Sequence, residues 1–141
     1  MKKVYPTYQI KRKPVNELAV YKKAIELFTL SRELVHKIAE DKGILELGRS
    51  KDRLEKLSAH MLSTSLGLAP RIAMVESTKD PRVRIDSLRA IQHATGSLKQ
   101  YCDHLESRNS SSGTLLAKLR TEIDHFRNLQ SRWAGRLCEL N

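Results

Sequence analysis

The chain has 141 residues, with 26 Lys and Arg against 16 Asp and Glu, a net charge of +10. That length supports one domain with a real core and needs no metal or disulfide staple. Two Phe, one Trp and four Tyr are all the aromatics present. The core must therefore come from Leu, Ile, Val and Ala, which suits helices better than sheets. No apolar run approaches the ~20 residues that span a bilayer, and the Lys-rich start lacks a signal-peptide h-region. Cys102 and Cys138 are too few for a disulfide framework, so the expectation is a cytoplasmic protein with reduced thiols and no membrane partner.

Residues 1–15 form a basic arm with Pro6, Pro14 and no helical period, which predicts extended chain. Residues 16–141 form the folded body. Lys2, Lys3, Lys11, Arg12 and Lys13 lie on the arm with no acid among them. The body keeps 21 basic against 16 acidic residues. Excess charge on both parts is the electrostatic footprint of a polyanion binder.

The spacing predicts four helices. The first runs from an Asn16 N-cap to about Asp41, with Gly43 as the stop. It carries one stripe of Leu18, Tyr21, Ile25, Phe28 and Val35, and an adjacent one of Leu27, Leu30, Leu34 and Ile38. The second starts near Ser50 and carries Leu54, Leu57, Met61 and Leu68. Beside these run Leu62, Leu66, Ala69, Ile72 and Ala73. Both helices look apolar on two sides, which fits either self-association or a thick intramolecular core. Gly67 and Pro70 interrupt the second helix, where an interior proline costs about 3 kcal/mol.

The third helix begins at Asp80–Pro81, an acidic cap followed by proline. Its seam is Leu88, Ile91, Thr95, Leu98, Cys102 and Leu105. Lys79, Arg82, Arg84 and Arg89 cluster at its start, where the helix dipole favours anions. After a Ser-rich loop at residues 107–113 the fourth helix begins near Thr114. Its seam is Leu116, Leu119, Ile123, Phe126, Gln130, Trp133, Leu137 and Leu140. Sustained three-four spacing with short connections specifies an all-α, up-down antiparallel four-helix bundle.

Catalytic chemistry is hard to find. Two Glu-x-x-His pairs, Glu33/His36 and Glu122/His125, have the spacing used in di-metal bundles. However, Ile123 and Phe126 define the fourth seam, so Glu122 falls at its edge and His125 faces away. His60, His93 and His104 lack ligand spacing, and Cys102 sits in an apolar seam without a base. No Gly-rich phosphate loop or nucleophile elbow occurs. The reading is a non-enzyme with no cofactor and no metal.

Arginine offers forked contacts to phosphate and stacks on bases. Lys11, Arg12, Lys13, Arg82, Arg84 and Arg89 are the first candidates for nucleic-acid contact, followed by Arg120, Arg127 and Arg132. Lys118, Arg136 and Lys99 share the non-seam faces, while Glu122, Asp124 and Glu139 are placed to neutralise part of that charge. Tyr5 and Tyr8 stand among the arm's lysines. A second reading keeps the bundle as an interaction module for an acidic protein partner. A third makes it a metal-dependent bundle enzyme.

The segment from Ser58 to Leu98 carries a family resemblance. Pro70 followed by Ile72–Ala73, then a helix with the step Gly96-Ser97-Leu98, resembles the small bacterial four-helix-bundle proteins first noted in intervening sequences of large-subunit ribosomal RNA genes. In helix order and spacing the similarity extends over residues 16–140. The same superfamily holds the accessory variability determinant of diversity-generating retroelements, a basic, barrel-like homopentamer that binds nucleic acid and a reverse transcriptase. The ribosomal type carries Asn-Ile-Ala-Glu-Gly after the proline, whereas this chain has Arg71, Ile72, Ala73, Met74 and Val75. Arg71 and the overall charge favour the retroelement type and add Arg71 to the candidates. The resemblance implies a homopentameric ring, with RNA or DNA and a reverse transcriptase as partners.

Overall fold

The computed structural model describes residues 13–39, 49, 51–106 and 113–139. Among the described residues a 3-10 turn at Val15–Glu17 precedes five longer helical segments. These are α1 Ala19–Ala39, α2 Arg53–Leu66, α3 Leu68–Ser77, α4 Pro81–Glu106 and α5 Gly113–Glu139. No strand occurs among the described residues. Gly67 alone separates α2 from α3, and its backbone is right-handed helical (φ −77°, ψ −10°). The two segments therefore act as one arm, and the described residues form four arms.

Cross-helix pairs establish the directions. On α4 and α5, Lys99 pairs with Asp124 and Asp103 with Arg120, so numbers rise on one helix as they fall on the other. The same holds for α1 and α5, where Lys23 meets Glu122 and Leu18 shares a pocket wall with Trp133. On α2 and α4 the His60 ring stacks on Tyr101, and further along Arg71 and Arg89 line one groove. Both α1 and α4 pack against the α2–α3 arm and against α5, so they occupy diagonal corners of an up-down-up-down bundle.

The seams of the last two helices are buried as the spacing predicts. On α4, Ile91, Thr95, Leu98, Cys102 and Leu105 are inside; on α5, Leu116, Leu119, Ile123, Phe126, Gln130, Trp133 and Leu137 are. Leu88 packs at the margin. Burying a Leu, Ile or Phe side chain contributes about 1.5–3 kcal/mol, and the four faces meet in one core. Thr95 stays satisfied there by donating to the Ile91 carbonyl at 2.7 Å.

Several expectations for the first half need correction. Asn16 is not an N-cap: it lies inside the 3-10 turn, and the helix starts at Ala19 after an extended Leu18 (φ −69°, ψ 136°). The arm's last residue, Val15, belongs to that turn, although Pro14 before it is extended (φ −54°, ψ 147°). Asp52, whose carboxylate accepts from the Leu54 amide at 2.8 Å, caps the second arm at Arg53. Of the two stripes on α1, the one built on Leu27, Leu30 and Leu34 is buried, whereas Ile25 is 46% exposed. Leu66 on α2 is likewise 48% exposed. The core takes one broad face from each helix and leaves the edges open.

Pro70 carries no interior-proline penalty. It is the third residue of α3, in a first turn whose amides lack intrahelical partners anyway. The break falls at Gly67, whose own amide still donates to the Ser63 carbonyl at 3.1 Å. Replacing Gly67 with Ala should stabilise the protein by about 0.5–1 kcal/mol, because its backbone is already helical. The new Cβ would come within 2.7 Å of Arg71 Nη1, the mobile tip of a flexible side chain that can move aside. Thermal unfolding checks this, and a lowered Tm would contradict it.

Candidate nucleic-acid interface

One end of the bundle gathers the starts of α1 and α4 and the ends of α3 and α5. Trp133 closes it from inside: the ring is 3% exposed and its Nε1–H donates to Glu76 Oε2 at 2.7 Å. That bond ties the end of α5 to the end of α3. Outside it, Leu18, Ala19, Val20 and Leu129 floor a groove flanked by Arg132 and Arg136. A second recess continues past Arg136 to Lys13 and Glu76. Arg132 and Arg136 are one turn apart and both exposed. His125 and Lys118 extend the same stripe at seven-residue steps, two helical turns each.

The α3–α4 turn explains the arginines at a helix start. Asp80 caps α4, its Oδ1 accepting from the Arg82 amide at 2.9 Å. The three-residue connection also brings the end of α3 to the same place. Arg84 Nη2 donates to the carbonyl of Thr78, the C-cap of α3, at 3.2 Å. A cation is favoured at a helix C-terminus. The apparent conflict disappears because two opposite dipole ends meet there. Arg84 is thus half-buried and committed to the fold, while Arg82 and Arg89 are exposed.

A third groove, of about 590 Å³, runs between the α2–α3 arm and α4, with Arg71, Arg89, Asp86, His93 and Tyr101 in its walls. Arg71 folds its Nη1 over the Gly67 carbonyl at 3.4 Å.

The remaining candidates separate. Arg120 is engaged: its guanidinium pairs with Asp103 and Glu106 of α4. Lys99 is held by Asp124 at 2.8 Å. Arg127, two turns beyond Arg120, is exposed, as is Lys13. Lys11 and Arg12 lie outside the described residues. The Trp133–Glu76 bond was not visible in the sequence, whereas the Arg132/Arg136 pair, one turn apart, was. Glu33 and His36 are both exposed. Glu122 pairs with Lys23 and lies 3.4 Å from His125 Nδ1. Among the described residues no group of three His, Cys, Asp or Glu is placed to hold a metal ion. Burial pushes the Cys102 thiol up to about 12, so at neutral pH it is a packed thiol and not a nucleophile. No helix among the described residues is long and apolar enough to cross a membrane.

With the geometry in place, the chain was compared with protein families, curated proteins and solved structures, and none of the three gave a match.

The Lys23–Glu122 pair joins α1 to α5 beneath the basic stripe. The hydrogen bond to Lys23 holds the Glu122 carboxyl below its ordinary range, and the same bond raises Lys23 above 10.5. The carboxylate contributes stability above its ordinary pKa and loses it as pH falls through the lowered value. The ammonium contributes below 10.5 and loses that as pH rises through its raised value. Lys23→Met should therefore cost up to about 1 kcal/mol at neutral pH, with the difference shrinking towards pH 3. Urea unfolding at both pH values checks this. A difference as large at pH 3 as at pH 7 would contradict it.

Proposed function

We propose that the protein is a non-catalytic nucleic-acid-binding accessory protein. In this reading it forms a homopentameric ring that scaffolds a reverse transcriptase and its template RNA in a diversity-generating retroelement. The observation that carries the nucleic-acid part is the division among the cations. Lys99, Arg120 and Lys23 are neutralised by carboxylates across helix contacts. Lys13, Arg82, Arg89, Arg127, Arg132 and Arg136 are exposed, and no carboxylate among the described residues forms an ion pair with them. Outward arginines on a rigid scaffold meet phosphate with little ordering cost. The retroelement assignment rests on the resemblance around Pro70 and Gly96-Ser97-Leu98, together with Arg71 and the charge of +10.

Substituting Arg82, Arg89, Arg132 and Arg136 together by Ala should weaken binding of a single-stranded RNA at least tenfold. It should also reduce the slope of log affinity against log salt by roughly 0.7 per lost phosphate contact. An unchanged affinity and slope would overturn the assignment and favour an acidic protein partner. Light scattering tests the ring: the expected mass is five times the 16.1 kDa of the chain, and a monomer would contradict it.

A further inference from the structure

We propose that the groove between the α2–α3 arm and α4 is selective for single strands, seating a short run of unpaired nucleotides. A backbone phosphate lies on Arg71 and Arg89, and a base lies against the His60–Tyr101 pair. This deepens the nucleic-acid reading above and rests on it.

The antiparallel register sets the two ends of the groove. Arg71 and Arg89 face each other across one end, and Tyr101 lines the other. Twelve residues separate Arg89 from Tyr101, about 18 Å along a helix. A strand stacked at about 3.4 Å per nucleotide fits about five residues into that length. A duplex keeps its bases paired and stacked, so only its backbone can meet the groove.

The two ends differ in chemistry. Gly67 clears space for the Arg71 guanidinium, whose Nη1 would sit 2.7 Å from a Cβ at that position. With Arg89 exposed opposite it, two forked donors are presented to one anion. Asp86 stands one turn before Arg89 and repels phosphate, but accepts from a ribose hydroxyl or an exocyclic amine. At the far end Tyr101 lines the groove, and the His60 ring beside it is near-parallel, 23° apart in plane with centroids 6.2 Å apart. His60 is exposed and Tyr101 half-buried. An aromatic face of this kind takes a splayed base, whereas paired bases hide their faces in the stack. Phosphate donors at one end and a stacking surface at the other match a single strand and give a duplex nothing but charge.

The test is fluorescence anisotropy with a labelled 12-nucleotide RNA and with the blunt duplex of the same sequence, using the full chain. Wild type should prefer the single strand. His60→Ala combined with Tyr101→Leu should lower single-strand affinity about tenfold and leave duplex affinity unchanged, while Tyr101→Phe keeps both. Arg71→Ala with Arg89→Ala should weaken single-strand binding and flatten its salt dependence. Should Tyr101→Leu unfold, His60→Ala alone and the arginine pair decide, since those three side chains are exposed. Unchanged single-strand affinity in these variants, with Arg132→Ala/Arg136→Ala still weakening binding, overturns the groove and leaves the general reading standing. Equal loss on single strand and duplex in His60→Ala overturns the selectivity. Absence of binding to either nucleic acid by wild type overturns both.

Discussion

The rotation of α5 about its own axis governs the rest of the molecule. Leu116, Leu119, Ile123, Phe126, Trp133 and Leu137 must all face inward, and each contributes more than a surface ion pair can. Burial of such side chains is worth about 1.5–3 kcal/mol each, against roughly 0–1 kcal/mol for an exposed pair. The apolar seam therefore decides, and the charges follow. With Phe126 and Trp133 inside, Arg120 and Arg127 fall on the side of α4, while Arg132 and Arg136 fall along α1. The bond from Trp133 to Glu76 then fixes the end of the bundle at which those last two arginines project.

The basic charge divides by position. Where two helices meet, carboxylates are supplied from the neighbour, as Asp103 and Glu106 are to Arg120. Where a helix edge faces outward, as at Arg132 and Arg136, no carboxylate among the described residues forms an ion pair with the cation. The same geometry accounts for Arg84, which serves the last carbonyl of α3 because the short turn returns α4 to that point. Fold and site are thus produced by one packing arrangement. A bundle is only a scaffold, and the functional argument rests on what its edges present.

Periodicity made the last two helices legible. Their apolar residues recur at strict three-four spacing, and nearly every seam position is inside. The first half was less legible because its apolar residues spread over wider faces. Ile25 and Leu66 look like core in a linear pattern, yet lie past the edge that a neighbouring helix covers. Pro70 looked costly because the helix break at Gly67 leaves almost no trace: one glycine in helical conformation separates two segments. Arg120 and Lys99 carry ion pairs that were hidden for another reason. Their partners come from a different helix, at sequence separations of 17 and 25 residues, which no reading of charges along one helix can find. The His60–Tyr101 contact was hidden in the same way, since it depends on the register between α2 and α4.

The central claim is that the cations left outward by the packing act on a polyanion. The salt dependence of binding between the unmodified protein and a single-stranded RNA tests it most directly. Engagement of six of the outward cations, at about 0.7 counterions each, predicts a linear fall in log affinity with log salt, with a slope near −4. A flat dependence, or no measurable binding at low salt, would contradict the account.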